Sequence, residues 1–183
     1  MKKSLGAKNC LYPLPTVLVG ANVQGKPNYL AIAHVGIIEL MSVSISLNKV
    51  HYTNAGIKEN QTFSINIPSV DLVQVVDYCG LVSGKNVDKA ALFETFYGTL
   101  HTAPMIQQCA VNMECELMRT IDFPQHDVFI GKIVETYCEE HYLTDGNVDL
   151  AKVQPFLFSM LDVRYWKIGE PFAKAWSIGK ELK

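Results

Sequence analysis

Met41 to Leu47 reads M-S-V-S-I-S-L, and this strict alternation puts Met41, Val43, Ile45 and Leu47 on one face of a strand and Ser42, Ser44 and Ser46 on the other. A period of two buries an apolar face only when the segment lies in a sheet. Downstream, Phe63, Ile65 and Ile67 alternate with Ser64 and Asn66 until Pro68 stops the run, which predicts another strand with one wet or ligand-facing side. Upstream, Thr16 to Ala21 (T-V-L-V-G-A) and Tyr29 to Ala33 flank Gly25 and Pro27, the pattern of a hairpin. Further on, Val111, Met113, Cys115 and Leu117 alternate with Asn112, Glu114 and Glu116, and Val128 to Val134 follows a turn at Asp122 to Gln125. These form a second hairpin. Phe156 to Tyr165 supplies a last strand, and the mixed residues from Ile168 onward favour no element.

Helical signals are brief. Asn54 to Asn60, N-A-G-I-K-E-N, suits two turns started by Thr53 or Asn54, with the helix N-terminus aimed back at the end of the preceding strand. Ser69 or Asp71 can start a helix with Leu72, Val75, Val76 and Cys79 on one side, and Asp88 another with Leu92, Phe93 and Phe96 on its apolar side. Gly80 and Gly84 mark the loop between them. Many short strands with no recurring strand, long helix, strand rhythm favour a mainly β chain with short helices, folded as a closed or partly closed antiparallel barrel.

The 183 residues form one expected domain, 1–183, because no repeat, low-complexity tract or long linker divides them. With 49 % apolar and 19 % charged residues the chain can build a sizeable core, which excludes intrinsic disorder. Its net charge of -2 supplies no cationic field for a phosphate backbone, so no nucleic-acid partner is expected. No uncharged apolar run approaches the ~18 residues of a membrane span, and no apolar stretch follows the first lysines as in an export signal. Five scattered cysteines without a C-x-x-C fit reduced thiols. The expected location is the cytoplasm, away from any membrane.

Several chemistries drop out. No G-x-G occurs, so the dinucleotide fingerprint is missing, and G-x-S-x-G and H-E-x-x-H are absent too. Cys79 to Asn86, C-G-L-V-S-G-K-N, matches a phosphate-binding P-loop only at Gly84-Lys85, with Cys79 where the first glycine belongs and Asn86 where the hydroxyl belongs. Cys138 and His141 alone cannot fill a tetrahedral metal site. What remains is a crowd of polar side chains, Ser46, Asn48, Lys49, His51, Tyr52, Thr53 and Asn54, after the clearest strand and before a short helix. A phosphate wants such N–H groups, a hydroxyl and a nearby cation, although an ordinary capped turn uses the same residues. A second polar loop, Ser83 to Lys89, carries two lysines before the Asp88 helix start, and equally suits a solvated charged loop.

Four stretches in order, N-Y-L-A-I-A at Asn28 to Ala33, S-x-S-L-N-K-V-H-Y-T-N at Ser44 to Asn54, F-S-I-N-I-P at Phe63 to Pro68 and C-G-x-x-S-G-K-N-V-D-K at Cys79 to Lys89, resemble the flavin reductase-like, FMN-binding split-barrel family, on its flavoredoxin branch. H-D-V-F-I-G-K-I at His126 to Ile133 and Y-W-K-I-G at Tyr165 to Gly169 extend the likeness over nearly the whole chain. The resemblance implies a split β-barrel of antiparallel Greek-key type with FMN as cofactor. It places Asn28 and the backbone of Tyr29, Leu30, Ala31, Ile32 and Ala33 along the isoalloxazine edge, with His34 near the ring where relatives often carry an aromatic. Ser46, Asn48, Lys49, Thr53 and Asn54 are implied to hold the ribityl chain and phosphate, with Leu47, His51 and Tyr52 in the same cofactor-binding run. Lys89 is implied as the cation close to the flavin, Cys79, Ser83 and Gly84 join the cofactor set, and His126 and Phe158 are implied as contacts from the partner protomer of a homodimer. Where flavin reductases proper often show two adjacent prolines, this chain has Glu39-Leu40-Met41-Ser42, which leans towards the flavoredoxin branch. The implied function is electron carriage through FMN, with NAD(P)H or a redox partner protein as donor and NAD(P)H:flavin oxidoreductase activity as an extension. The alternative is an FMN-binding or storage module without redox turnover. No catalytic acid or base and no metal is expected.

Overall fold

In the computed structural model, which describes residues 1–182, a short strand β1 (Leu14–Pro15) leads into the hairpin of β2 (Val17–Val23) and β3 (Lys26–Ile32). Gln24 and Gly25, at φ 53° and 74°, make its turn, and two positive φ values match the right-handed twist of the flanking strands. After Ala33 and His34 come β4 (Val35–Glu39) and β5 (Ser42–Asn48), then α1 (Thr53–Asn60) and β6 (Thr62–Ile67). Helix α2 (Val73–Leu81) follows a single 3₁₀ turn and buries Val76 and Cys79, in line with the apolar spacing of its sequence.

Beyond α2, β7 (Thr95–Phe96) pairs with β8 (Met105–Ile106), and β9 (Val111–Asp122) with β10 (His126–Cys138) forms the longest hairpin. A small excursion, β11 (Leu143–Thr144), β12 (Asn147–Val148) and α3 (Leu150–Val153), precedes the hairpin of β13 (Phe156–Ser159) and β14 (Arg164–Lys167). The main sheet has seven strands in the order β3-β2-β6-β9-β10-β5-β4, and each neighbouring pair is antiparallel. Its two edges, β3 and β4, are consecutive in the chain and joined only through Ala33 and His34. The sheet therefore curls until its edges meet at one corner, and among the described residues no ladder seals them.

Val19, Ile45, Phe63, Ile65, Cys115 and Phe129 are fully buried inside this curl. On the opposite side, Leu18, Tyr29 and Ile106 pack with Val76 and Cys79 of α2 and with Phe156 of β13. All five cysteines are free thiols.

Three sequence expectations are corrected. Ser64 and Asn66 face neither water nor ligand: both are fully buried, because the Pro104–Ile106 segment lies over them. Ser64 Oγ donates to the Pro104 carbonyl, Asn66 Nδ2 donates to the Leu18 carbonyl at 2.9 Å, and Asn66 Oδ1 accepts from Ile106 N and Asn112 Nδ2. The helix expected after Asp88 shrinks to a 3₁₀ turn at Ala90–Leu92, although Asp88 Oδ1 does accept from Ala90 N at 3.0 Å. Phe93 is drawn edge-on to Tyr29 at 5.4 Å and Phe96 into the β7–β8 pair, and these tertiary partners outweigh a weak local preference. Phe156 to Tyr165 is not one strand but two, folded back at Met160 to Val163, with Val163 at φ 52°. Of the single expected domain 1–183, Lys183 lies outside the described residues.

Candidate functional site

Asn28, at the middle of β3, is 5 % exposed and donates from Nδ2 to Thr53 Oγ1 at 2.8 Å. Thr53, the first residue of α1, is thus held by the sheet rather than capping its own helix; Tyr52 takes the cap position without a side-chain bond. Asn28 Oδ1 is buried without a partner, and so is Asn54 Oδ1, whose amide nitrogen donates to the Asn48 carbonyl at 3.0 Å. Two orphaned amide oxygens on either side of one threonine are costly in a protein interior unless something donates to them. Gly84 lies over this spot, and a β-carbon there would collide with Asn28 Oδ1 and press on Tyr52. The glycine is what lets the Ser83 to Lys89 loop approach Asn28.

Lys89 is 3 % exposed, and its ammonium donates to the carbonyls of Cys79 at 2.9 Å and Val82 at 3.0 Å, tying down the negative end of α2. Burial pulls its pKa down, with the Cys79 thiol opposing the shift. Cys79 itself stays in the core, its thiol pushed up to about 11 by burial. Asn28, Tyr52, Gly84 and Lys89, with Lys85, line a cavity of about 340 Å³. Tyr52 and Lys85 are shared with a neighbouring hollow of about 500 Å³, where Lys49, His51 and Asn54 meet Asp122 and Asp127. Lys49 pairs with Asp122 at 2.5 Å and Lys58 with the buried Asp127 at 2.7 Å, so both lysines are already neutralised. Asp122 is held below the usual carboxylate range by the Lys49 hydrogen bond and charge. His51, by contrast, is pushed down by burial and then by the charges of Lys89 and His126. Lys89, His51 and His126 themselves line three separate hollows, the first, second and third of this end of the molecule.

A third hollow, of about 530 Å³, is lined by Ser46, Phe123, Pro124, Gln125, His126 and Val128. His126 opens β10 opposite Asn48 of β5, and its ring stands 6.3 Å from that of His34. His34 is fixed by its backbone, whose carbonyl accepts from Ser46 N at 2.9 Å. Tyr12 brings its hydroxyl to 3.5 Å from His34 Nε2 and stands edge-on to Phe158 at 6.5 Å.

The implied cofactor residues are thus spread over three hollows: Asn28, Gly84 and Lys89 line the first together with Tyr52; Lys49, His51 and Asn54 line the second; Ser46 and His126 line the third. Thr53 is bonded to Asn28, Asn48 to Asn54 and Ser83 to Lys85 N, while His34 stands by His126 and Phe158 by Tyr12. The side chains of Tyr29, Leu30 and Leu47 lie in the core, Tyr29 bonded to Thr95 Oγ1 at 2.8 Å, so these positions offer only backbone; Ala31, Ile32 and Ala33 are half-buried. His126 and Phe158, implied as the partner's contribution, here approach the His34 corner from within the same chain. Lys85, noted in the sequence only as one of two lysines in the Ser83 to Lys89 loop, lines two of the hollows, and Tyr12 was not singled out at all. Lys85 sits in the same loop as Lys89 and could have been weighed equally; Tyr12 lies far upstream and carries no local signal.

Orphaned buried acceptors, a buried cation and a glycine-permitted loop approach beside an antiparallel sheet are features that suit a polar small molecule. The model of the flavin reductase like domain matches residues 9–159, and the chain belongs to that family. It is 43 % identical to the flavoredoxin of Methanosarcina acetivorans, with a TM-score of 0.96 over 100 % of both chains. To the flavoredoxin of Desulfovibrio vulgaris it is 38 % identical, with a TM-score of 0.91 over 98 % of this chain and 100 % of that one. An FMN-binding protein from Thermus thermophilus shares the fold at a TM-score of 0.80 and 22 % identity, over 95 % and 97 % of the two chains.

Proposed function

We propose that the protein holds FMN in a split barrel of Greek-key type and works as a flavoredoxin-like electron carrier in the cytoplasm, with NAD(P)H or a redox partner protein as electron donor. The observation that carries this reading is the pair of orphaned buried oxygens, Asn28 Oδ1 and Asn54 Oδ1, beside a buried ammonium with only carbonyl partners. The residues fit FMN part by part. Asn28 Oδ1 and Asn54 Oδ1 accept N–H or ribityl O–H groups, Lys89 and Lys85 supply the positive charge a phosphate needs, and the neutral His51 offers one ring N–H. Thr53 Oγ1 already accepts from Asn28, which leaves its hydroxyl proton to donate. The Tyr29 to Ala33 backbone, stiffened by β2, gives the ring edge a fixed row of amides. Bound FMN supplies the one- and two-electron chemistry that no side chain here provides.

Two copies are expected to pair. Edge strand β4 and its turn expose Ile37, Leu40 and Met41 at 84 %, 96 % and 57 %, and Met118 of β9 joins them within 3.9 Å of Ser42 Oγ. Exposed edges and contiguous apolar patches of this kind are normally covered. Ultracentrifugation should find a dimer that FMN strengthens, and a fully flavin-loaded monomer at micromolar concentration would rule the pairing out.

The deciding experiment is uptake and reduction. The purified protein should bind FMN and be bleached anaerobically by NADH, NADPH or reduced ferredoxin. Failure to take up FMN overturns the reading; uptake without reduction by any donor points instead to a binding or storage module.

A further inference from the structure

Beyond β14, Phe172 and Trp176 are 99 % and 97 % exposed, and Ile178 and Leu182 add apolar surface at 56 % and 92 %. Aromatic side chains gain most from burial, so two of them standing in water are unfinished packing. The segment has structure of its own nonetheless. Ser177 N and Ile178 N donate to the Lys174 carbonyl at 3.3 Å and 3.2 Å, Lys180 N donates to the Ser177 carbonyl at 3.0 Å, and a 3₁₀ turn covers Ile178–Leu182. Trp176 lies inside this turn at φ 56°, a left-handed conformation that a bulky residue keeps only where surrounding contacts hold it. Among the described residues, those turn bonds stay within the segment.

At the root of the segment is a hollow of about 900 Å³, larger than any of the three at the polar corner and sharing no lining residue with them. Val70, Val148, Leu150, Ala151 and Pro155 give it apolar walls, and Lys167 to Pro171 form another side. That volume takes a drug-sized molecule, and so has room for two aromatic side chains. The chain follows its own hollow as far as Pro171, yet the next residue, Phe172, remains in water. Each copy thus has an open apolar seat and, directly after it, an aromatic pair that does not use it.

We infer that Phe172–Lys180 is an arm exchanged between two copies of this chain, with Phe172 and Trp176 of each copy seated in the other's hollow beside α3. From Lys167 to Trp176 an extended chain reaches up to about 30 Å, enough to cross to a neighbouring domain. At their observed exposure the two aromatics offer roughly 300 to 500 Å² per chain. Counting both arms and the walls they cover, the exchange removes on the order of 1,200 to 2,000 Å² from water, the range of a stable dimer. Charge agrees with this occupant: the arm's charged residues are Lys174 and Lys180, while Asp149 and Glu170 outnumber Lys167 around the hollow. Reciprocal seating is self-complementary and closes on a two-fold axis. The exchange goes beyond the proposed pairing at the β4 edge, which needs neither the arm nor the hollow.

The chain has two tryptophans, Trp166 and Trp176, so Trp166→Phe leaves Trp176 as the sole tryptophan reporter. In ultracentrifugation this protein should be a dimer. Without FMN, its tryptophan emission should be blue-shifted in the dimer and move to the red on dilution to monomer. Removing both anchors, Phe172→Ala with Trp176→Ala in the wild-type chain, should raise the dimer dissociation constant at least a hundredfold, because hot-spot aromatics are lost from both sides of a symmetric contact. Leu150→Glu, which places a charge in the hollow and leaves the arm intact, should do the same. A mixture of the two variants should form a heterodimer tighter than either homodimer, since one good seat survives. Should Leu150→Glu fail to fold, the armless variant and the Trp176 emission decide alone. A dimer whose Trp176 emission stays red, or whose dissociation constant ignores the loss of both aromatics, overturns the exchange and spares the β4 pairing. Blue emission that persists in the diluted monomer means the arm fills its own hollow, and overturns the exchange as well. A chain that is monomeric throughout, with FMN bound, overturns both contacts.

Discussion

Lys89→Met removes a single ammonium and should be felt in both stability and binding. The side chain makes two charge-assisted bonds, at 2.9 Å and 3.0 Å, to the last carbonyls of α2. Each such bond contributes about 1.5 to 3 kcal/mol, so the pair is worth roughly 3 to 6 kcal/mol before burial of the charge is set against it. That burial costs several kcal/mol, which the methionine regains, and a net loss of about 2 kcal/mol remains. For a chain of this size the melting temperature should fall by about 4 to 8 °C. Melting without FMN isolates this structural part. Fluorescence titration with FMN then reads the site: a loss of tenfold or more is expected if the ammonium also meets the cofactor. A redox titration divides the possibilities further, since a cation beside the ring favours the anionic reduced form and its loss lowers the midpoint potential, while a cation at the phosphate affects affinity alone. A variant that melts, binds and titrates like the wild type would refute the reasoning.

Thr53→Ala should weaken FMN binding by about tenfold to a hundredfold through loss of a hydroxyl bond to a charged acceptor, and should also free Asn28 Nδ2; unchanged affinity in a folded variant would reduce Thr53 to a tether for the sheet. Gly84→Ala should lower stability by about 1 to 3 kcal/mol, because its methyl group overlaps Asn28, and should impair FMN uptake with it; wild-type melting would show that the loop lies elsewhere. Stability should also depend on His51. Its pKa is lower folded than unfolded, so the unfolded chain binds the proton more readily, and stability is lost as pH falls below the usual histidine range and recovered above it. His51→Gln should flatten that decline in denaturant titrations run across mildly acid pH, and a slope equal to the wild type's would place the pH dependence on other groups.

The Met41 to Leu47 alternation led to β5 because Val43, Ile45 and Leu47 enter one core while Ser44 and Ser46 stay half-buried. Only its start departs, for Met41 lies exposed in the turn before the strand and Ser42 is buried against Glu39 and Met118. The polar run from Ser46 to Asn54 was legible too, as consecutive positions straddling a strand end and a helix start need no distant partner to come together. Elsewhere the deciding partner lay far along the chain. Ser64 and Asn66 look solvent-facing until Pro104 to Ile106, some 40 residues on, covers them. Phe93 and Phe96 carry helical spacing but are claimed by Tyr29 and by β8. Val163 at positive φ is a turn that no preference of a β-branched residue predicts. His126 could be tied to His34 only through the β10–β5 register, and Tyr12 only through the return of β13.

The buried amides of the main sheet have a consequence for how the chain finds its fold. Sliding β9 along β6 by one residue would throw the core face outward, but sliding by two keeps every apolar side chain inside, and hydrophobicity alone cannot forbid that error. Asn66 and Asn112 stand directly opposite each other, joined at 2.8 Å, and both also grip the backbone of Ile106. Two residues out of register, Asn66 would face Ala110 or Asn112 would face Pro68, so in either direction one of the two amides is left without a side-chain partner. The pair therefore acts as a proofreading mark in the interior, penalising a mispaired sheet before the polar corner at its end can be assembled.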